Sequence, residues 1–285
     1  MIMKILALDI GGTAVKYGYF GEDTVFGVFP VKDADGNERL PEKLLELISK
    51  FDAECIGISV PGPFDYDLGI SLMEHKLKSL YKINLKEMIQ KQFPQRKIFF
   101  IHDATSFIFG AMSEIPSSEH TNVSGVMLGT GLGYVHFVDG RVEVNPRKTP
   151  LKSLWSKPYK EGVAENYVCA TAIVNKAKAA GYSFDGVKEM AEEARRGNSE
   201  LTDIFFETGM QMGELVSLKR EEDGFEKLII GGQASGAWDL MKCGFESTCS
   251  IPYDLVEDPA KCPLFGIKYC AEKGLNAIYM EGENQ

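Results

Sequence analysis

A glycine-rich segment between two apolar runs has the residue types that bind phosphate. It reads Leu8-Asp9-Ile10-Gly11-Gly12-Thr13-Ala14-Val15-Lys16. Glycines at a tight hairpin let backbone N–H groups approach phosphate oxygens closely, and Thr13 adds a hydroxyl donor. Asp9 at a strand end can hold Mg²⁺ through water, and Lys16 can offset phosphate charge. The alternative is a simple β-turn with a solvated aspartate.

Two later glycine-containing turns extend this pattern along the chain. Gly129-Thr130 lies 117 residues after Gly12-Thr13, within the turn Gly129-Thr130-Gly131-Leu132-Gly133. Two such turns fit a nucleotide phosphate held between two lobes. Gly231-Gly232 follows an apolar run, where its backbone can lie against adenine, and a strand-to-helix turn is the alternative.

His102 and Asp103 stand between a predicted strand and a predicted helix, the place from which a carboxylate can reach a substrate. A carboxylate within hydrogen-bond reach of a hydroxyl orients it and accepts its proton during phosphoryl transfer. We therefore interpret Asp103 as a candidate catalytic base. The alternative is that Asp103 only caps the helix that begins near Ala104, since aspartate is a preferred N-cap residue.

Apolar periodicity predicts the elements that position these residues. Strands are predicted over 4–9, 14–20, 24–31, 54–60, 97–101 and 227–230, and helices over 41–51, 84–93, 104–115, 164–180, 187–196, 200–219 and 263–278. The strand-turn-strand pattern of the opening recurs within residues 123–144. This repeat predicts two related α/β lobes that meet along a cleft, 1–116 plus 263–285 and 117–262.

The composition indicates an ordinary soluble globular protein. Its 285 residues carry a formal net charge of −10, and 44% are hydrophobic. The acidic balance disfavours nucleic acid, because phosphate neutralisation needs a basic face. The apolar start is too short for a signal peptide, and no apolar run approaches the ~20 residues of a membrane span. The scattered cysteines indicate reduced thiols in a cytoplasmic protein, without disulfides or a metal site.

The motifs form a series that spans nearly the whole chain. They are Asp9-Ile10-Gly11-Gly12-Thr13 with Lys16, Pro61-Gly62-Pro63, Asp103-Ala104, Leu128-Gly129-Thr130-Gly131-Leu132-Gly133 with Asp139-Gly140, and Ile230-Gly231-Gly232. In this order they resemble the ROK family, which comprises bacterial sugar kinases and related repressors. The resemblance implies a two-lobed α/β fold of the actin-like ATPase (ribonuclease H-like) type. It also implies Mg²⁺, ATP as co-substrate, and transfer of the γ-phosphoryl group to a hydroxyl of a hexose or an N-acetylhexosamine.

The same resemblance implies roles for individual residues. Asp103 corresponds to the catalytic base, and nucleotide or phosphate contacts are implied for Asp9, Gly11, Gly12, Thr13, Lys16, Gly129, Thr130, Gly131, Gly231 and Gly232. Sugar contacts are expected from Pro61, Gly62, His102, Asp103 and Glu165. Glu165 falls where the family has a sugar-binding glutamate at the head of a helix; a first-turn glutamate that complements the helix dipole is the alternative. A homodimer is a further expectation from the family.

The chain departs from the family pattern in its central region and before the candidate base. Residues 138–168 contain neither His nor Cys, where the family usually binds structural zinc, so we predict no zinc site. His102 replaces the Asn that commonly precedes the catalytic aspartate, which changes the hydrogen-bonding shape. Residues 73–77 lie where an Asn usually faces the sugar, and we interpret them as an exposed loop with Glu74, His75 and Lys76 as minor candidates. We interpret residues 147–160 as an ordinary surface loop.

Two rival functions remain open at this point. One is a catalytically inactive sugar-binding sensor or regulator, and the other is an actin-like ATPase without a sugar substrate. The acidic balance, and a start directly at the first phosphate-turn strand, lead us to expect no DNA-binding domain. Asp9, the glycine turns and Asp103 favour a kinase, whereas the Pro61-Gly62-Pro63 loop and Glu165 favour a sugar site. Similarity of fold alone could not decide between these functions.

Overall fold

The computed structural model describes residues 3–114 and 121–282. Its strands are β1 (Ile5–Ile10), β2 (Ala14–Phe20), β3 (Thr24–Pro30), β4 (Cys55–Val60), β5 (Phe64–Asp65), β6 (Ile70–Ser71), β7 (Lys97–His102), β8 (Asn122–Leu128), β9 (Leu132–Val138), β10 (Arg141–Val144), β11 (Pro158–Tyr159), β12 (Gly162–Val163), β13 (Lys227–Gly231), β14 (Tyr253–Leu255) and β15 (Tyr279–Glu281). Its α-helices are α1 (Leu40–Ser49), α2 (Leu85–Gln92), α3 (Asp103–Glu114), α4 (Ala170–Ala179), α5 (Val187–Arg195), α6 (Ser199–Asp223), α7 (Trp238–Thr248), α8 (Cys262–Lys273) and α9 (Leu275–Ile278).

The chain divides into two compact units. The first comprises Met1–Glu119, Gly140–Leu151 and Ala260–Gln285, and the second comprises His120–Asp139 and Lys152–Pro259. Compared with the predicted lobes, Gly140–Leu151 groups with the first unit instead of the second. The predicted boundary between residues 116 and 117 lies outside the described residues.

The first unit is built on a five-stranded sheet in the order β3-β2-β1-β4-β7. β1, β2 and β3 form the expected antiparallel meander, whereas β4 pairs parallel to both β1 and β7. Every residue of β1 and of β4 is buried, as expected for central strands covered on both faces. Because β1, β4 and β7 run parallel, their carboxyl ends lie at one edge, which carries Asp9, Ser59 and His102.

Helix α3, which begins at Asp103, is held in place by close packing against α8. A Cβ atom added at Gly266 of α8 would lie 1.7 Å from the Ser106 carbonyl oxygen of α3. The thiol of Cys262 also donates to the Phe107 carbonyl at 3.3 Å. Glycine at position 266 therefore lets α8 reach the backbone of the first turns of α3, and this contact fixes where Asp103 lies.

The second unit contains a sheet in which β14, β13, β8 and β9 are neighbours in that order. β8 and β9 form an antiparallel hairpin, and β13 pairs parallel to both β8 and β14. Its core includes buried residues of α4, α5, α6 and α7. The parallel pairing of β8 with β13 brings Gly129 and Gly231-Gly232 to one edge of this sheet.

Two predicted helices are interrupted in the structure. The helix predicted over 164–180 is a 3-10 turn at Ala164–Asn166 followed by α4, because the Ala170 N–H donates to the Gly129 carbonyl at 2.9 Å. The helix predicted over 263–278 breaks at Gly274, which has a φ of +83°. Ile115, the last residue of the helix predicted over 104–115, lies outside the described residues.

Five of the six cysteines are buried, and Cys243 is exposed. Among residues 3–114 and 121–282, no helix combines the length and apolar character needed to cross a membrane.

Candidate active site

Asp9 lies at the end of β1, opposite Lys16 and Ser59 on the two neighbouring strands. Lys16 Nζ is 3.6 Å from Asp9 Oδ2, and Ser59 faces Asp9 in the strand register, with its hydroxyl 2.9 Å from that of Ser106. Burial raises the pKa of Asp9, while Lys16 and Ser59 lower it and the nearby charge of Asp103 raises it further. Asp9 is therefore not the solvated turn residue of the alternative interpretation, since it is only 8% exposed.

The first glycine turn is a compact hairpin with an open outer face. The Gly11 N–H donates to the Ala14 carbonyl at 3.0 Å, and the Thr13 carbonyl accepts from Val31 N–H at 2.9 Å. Gly12 and Thr13 are exposed, and a Cβ atom at Gly12 would meet no described heavy atom within 4 Å beyond its chain neighbours. The backbone at this turn is accessible to an anion, as phosphate binding requires.

The Asp103 carboxylate lies at the start of α3 with 33% of its side chain exposed. Its Oδ1 accepts the Ala104 N–H at 2.8 Å and lies 3.0 Å from His102 Nδ1. Burial opposes its ionisation, but His102, the Ala104 N–H and Lys76 together lower the pKa of Asp103 below its ordinary value. An N-cap side chain accepts from the second or third helical N–H, so this bond to the adjacent residue is not the capping geometry.

His102 faces the Pro61-Gly62-Pro63 loop, which contains a cis Gly62-Pro63 peptide. A Cβ atom at Gly62 would lie 3.6 Å from His102 Nε2 and 3.8 Å from the Tyr66 hydroxyl. The Tyr66 hydroxyl donates to the Val60 carbonyl at 2.9 Å, which holds this ring beside the loop. The structure thus brings the predicted sugar contacts of the first unit, Pro61, Gly62 and His102, next to Asp103.

Glu165 and the second glycine turn form the corresponding group of the second unit. Glu165 Oε2 accepts the Leu132 N–H at 2.8 Å. A Cβ atom at Gly131 would lie only 2.5 Å from the same carboxylate oxygen. A side chain at position 131 would therefore displace the Glu165 carboxylate from this place. Glu165 belongs to a 3-10 turn and directs its carboxylate to the second glycine turn. The alternative, a first-turn glutamate that complements the dipole of a helix over 164–180, is therefore wrong.

The N-terminus of α4 supports the same turn from its other side. The Ala170 N–H donates to the Gly129 carbonyl at 2.9 Å, and the Thr171 hydroxyl donates to the Thr130 carbonyl at 2.7 Å. Within the turn, the Gly129 N–H donates to the Gly131 carbonyl at 3.1 Å. These bonds fix a conformation that sequence periodicity alone did not predict.

Gly231-Gly232 ends β13 and leads into a 3-10 turn at Gln233–Ala237. Gly232 has a φ of +88°, and a Cβ atom there would lie 2.6 Å from the Leu128 nitrogen. The pair thus packs against the backbone that leads into the second glycine turn, in the strand-to-helix geometry of the alternative interpretation. The adenine contact remains a prediction.

Three residues affect Asp9, His102 or Asp103 in ways that the sequence did not predict. Ser59 lowers the pKa of Asp9, Tyr66 packs on His102 with ring centroids 5.7 Å apart, and Lys76 lowers the pKa of Asp103. Only Lys76 had a sequence signal, as a minor candidate in an exposed loop. Ser59 and Tyr66 had none, because their roles depend on strand register and loop path.

Residues 147–160 are not the ordinary surface loop that the sequence suggested. Leu154 is 1% exposed, and β11 pairs with β12 in a short hairpin. The Trp155 carbonyl accepts the Glu165 N–H at 3.1 Å, and the Lys157 carbonyl accepts the Ala164 N–H at 2.9 Å. This segment therefore contacts the backbone at Glu165 directly.

The metal-binding potential of the site is limited to isolated carboxylates. Over the described ranges, no group of three or more His, Cys, Asp or Glu side chains is arranged to hold a metal ion. Mg²⁺ in phosphoryl-transfer sites commonly uses one or two carboxylates with water and substrate phosphates. Asp9, a single buried carboxylate beside an open glycine turn, fits that mode.

Comparison with solved structures establishes the class of the fold. A ROK family glucokinase from Streptomyces griseus, in complex with glucose and AMPPNP, superposes with a TM-score of 0.73 at 20% identity. The match covers 95% of this chain and 100% of that one. The fold is accordingly the α/β actin-like ATPase fold, as predicted.

Sequence comparison finds similarity to the ROK family over about the first half of the chain. Residues 5–144 match the model of the ROK family. A glucokinase from Thermotoga maritima is 27% identical over 138 residues, which cover 46% of this chain and 43% of that protein. An N-acetyl-D-glucosamine kinase from Vibrio parahaemolyticus is 30% identical over 145 residues, 47% of this chain and 46% of that protein. The matches span less than half the length of these curated relatives. Over residues 5–144, the chain is similar to the ROK family.

Proposed function

We propose that the protein is an ATP-dependent carbohydrate kinase that phosphorylates a hydroxyl of a hexose or an N-acetylhexosamine. The observation that carries this proposal is the Asp103 carboxylate, 33% exposed at the start of α3 with its pKa held below the ordinary value. An ionised and accessible carboxylate can accept a proton at neutral pH. The glucokinase and N-acetyl-D-glucosamine kinase relatives support this substrate class.

Asp103 acts as the general base in this proposal. Oδ1 already accepts the Ala104 N–H and faces His102, so we assign Oδ2 to the acceptor hydroxyl. As the hydroxyl oxygen bonds to the γ-phosphorus, its proton passes to the carboxylate. The bond between the γ-phosphorus and the bridging oxygen breaks, and ADP leaves with that electron pair.

The phosphates are bound by the glycine turns. The open backbone at Gly12 and Thr13 supplies N–H donors, and Lys16 offsets negative charge. Asp9 would hold Mg²⁺ through water, and the bound ion would neutralise charge on the phosphate oxygens. The raised pKa of Asp9 indicates a carboxylate that benefits from a nearby cation.

The sugar is bound by polar groups near the base and by Glu165. His102 Nε2 and the Pro61-Gly62 backbone lie beside Asp103, where they can bond the hydroxyls that flank the acceptor. Glu165 keeps a carboxylate oxygen for a sugar hydroxyl while Oε2 is held by Leu132. An imidazole in place of an amide at position 102 offers a different donor and acceptor shape to the sugar.

The test is ADP release from Mg·ATP across hexoses, N-acetylhexosamines and β-glucosides. Asp103→Asn keeps the shape of the side chain and removes the base, so we expect kcat to fall by at least about 10²-fold. Asp239→Asn makes the same chemical change in an exposed ion pair with Arg195 and serves as the matched control. Full sugar-dependent turnover by Asp103→Asn would contradict the proposal.

A catalytically inactive sugar sensor is the alternative, and His102 in place of the family's Asn is the observation that favours it. The same panel separates the two functions. Sugar binding detected by calorimetry, without turnover of any sugar by the wild type, would support the sensor. Turnover that depends on Asp103 would exclude it.

We further propose a cytoplasmic homodimer that acts on small molecules and binds neither nucleic acid nor membranes. The net charge of −10 supports the absence of nucleic acid binding. The dimer rests on the family resemblance, and sedimentation equilibrium with and without sugar measures it directly.

A further inference from the structure

We propose that Lys157 and Glu222 are positioning residues for Glu165. Residues 152–165 are called here the lysine arm. An ion-pair cluster at the end of α6 holds this arm where Glu165 can bind substrate. The proposal deepens the proposed function and rests on it, because Glu165 is a sugar ligand there. Lys157 and Glu222 act through the arm and do not themselves touch the sugar.

The cluster joins two carboxylates of α6 to lysines on two segments. Lys157 of the arm pairs with Glu222, and Lys152 of the arm lies 3.6 Å from Asp223. Lys219 of α6 lies 3.2 Å from Glu222 and 3.0 Å from Asp223. Each carboxylate thus faces one lysine of the arm and the same lysine of the helix, which links the arm to α6 at two points.

Two residues of α6 in the cluster, Lys219 and Asp223, are buried and paired with each other. The Asp223 side chain is 2% exposed and that of Lys219 is 7% exposed. The Tyr134 hydroxyl donates to Asp223 Oδ2 at 2.6 Å and lies 2.8 Å from the Ser124 hydroxyl. Buried paired charges are screened much less than exposed ones, so this end of α6 is a fixed docking point for the arm.

The Glu222 carboxyl group is held in its ionised form by its lysine neighbours. The hydrogen bond from Lys157 and the pairing with Lys219 lower the pKa of Glu222, although partial burial opposes this. The Lys157 side chain is 19% exposed and that of Glu222 is 48% exposed, so the pair is accessible to substitution without opening the core.

The backbone of the arm connects this anchor to Glu165. The carbonyl of Lys157 accepts the Ala164 N–H at 2.9 Å, and the carbonyl of Trp155 accepts the Glu165 N–H at 3.1 Å. Glu165 Oε2 in turn accepts the Leu132 N–H at 2.8 Å. When Lys157 no longer pairs with Glu222, the segment that bonds the Glu165 backbone becomes more mobile, and the hydrogen bond between Leu132 and the Glu165 carboxylate weakens.

The experiment compares Lys157→Met, Lys157→Arg and Lys242→Met in the full chain. Methionine keeps an unbranched apolar stem without charge, and arginine keeps the charge. Lys242→Met is the matched control, because Lys242 forms an exposed ion pair with Glu246 on α7 at 3.8 Å. The first readout is residue-resolved amide exchange at Leu132, Ala164 and Glu165, which requires no activity. The second is the separate measurement of KM for sugar, KM for ATP and kcat.

For Lys157→Met we expect exchange at these three amides to rise by about tenfold or more, since their hydrogen bonds open locally. KM for sugar rises by about tenfold while kcat and KM for ATP change by less than about twofold, the pattern of lost uniform binding. Lys157→Arg and Lys242→Met keep wild-type values in both readouts.

Unchanged exchange in Lys157→Met overturns the positioning role, even if the wild type is a sugar kinase. Faster exchange with an unchanged KM for sugar also overturns it, because the arm would then move without affecting the ligand. If the wild type turns over no sugar, the kinase proposal fails, and exchange at Leu132 still reports whether the cluster positions the Glu165 carboxylate.

Discussion

His102 Nδ1 and Asp103 Oδ1 lie 3.0 Å apart, and the Ala104 N–H donates to both atoms. This arrangement places the imidazole against Oδ1, whereas the proposed mechanism assigns Oδ2 to the acceptor hydroxyl. A protonated imidazole donates to the carboxylate, and a neutral one accepts from Ala104. The proton on His102 therefore changes the charge felt by Asp103, while the Ala104 N–H still donates to Asp103 Oδ1.

We predict that Asp103 titrates below the ordinary aspartate value of 3.8, and that His102→Asn raises its pKa. Because the folded-state pKa is lowered, the ionised carboxylate stabilises the fold at neutral pH, and this stabilisation is lost as the pH falls through the folded pKa. The ¹³C shift of the Asp103 carboxyl group against pH measures both values. Titration of the wild-type residue at or above 3.8 would contradict the prediction.

A double-mutant cycle is predicted to show coupling between Asp9 and Lys16. Lys16→Met leaves the buried Asp9 carboxylate without its cation, so we expect the free energy of unfolding to fall by about 1–3 kcal/mol. Asp9→Asn combined with Lys16→Met removes this uncompensated charge, so we expect most of the lost stability to return. Chemical denaturation of the four proteins measures the coupling, and additive effects would refute it.

Gly131→Ala is predicted to weaken sugar binding through Glu165. The added Cβ would lie 2.5 Å from Glu165 Oε2, so the carboxylate must leave the Leu132 N–H. We expect KM for sugar to rise by about tenfold, with a smaller change in kcat. Gly236→Ala is the control, because a Cβ there meets no described atom within 4 Å beyond its chain neighbours. Equal sugar KM values for Gly131→Ala and the wild type would disprove the steric argument.

We predict that the protein contains no stoichiometric zinc and needs none for stability. Residues 138–168 lack His and Cys, and ion pairs from Lys152 and Lys157 hold the lysine arm instead. Metal analysis after purification measures the content, and dialysis against a zinc chelator is expected to leave Tm unchanged. Removal of Mg²⁺ with EDTA should abolish turnover, and its return should restore it. One zinc ion per chain together with a lower Tm after chelation would contradict this prediction.

The sequence predicted the parts of the site that depend on local pattern. The apolar run ending at Asp9, the glycine turns, and the strand and helix around Asp103 all lie in elements whose type was predicted, with ends shifted by one or a few residues. Hairpin turns and buried strands have strong local signals, since glycine and β-branched residues act within a few positions.

The sequence did not predict the parts that depend on distant pairing. The predicted helix at Glu165 is broken because Ala170 bonds Gly129, which is 41 residues earlier in the chain. The sequence predicted an ordinary surface loop over 147–160, because the partners of Lys152 and Lys157 lie at least 65 residues away in the chain. Charge alone does not identify a partner, so only the folded chain shows which lysines are paired.

The hydrogen bond from Leu132 to Glu165 has a consequence for engineering and for evolution. One short turn, Gly129–Gly131, supplies proposed phosphate contacts and also leaves the space that the Glu165 carboxylate occupies. A change made there to alter the phosphoryl donor will also alter the affinity for the acceptor. A larger residue at position 131 would leave the position 165 side chain undisturbed only when that side chain shortens, so we predict that these two positions vary together among relatives.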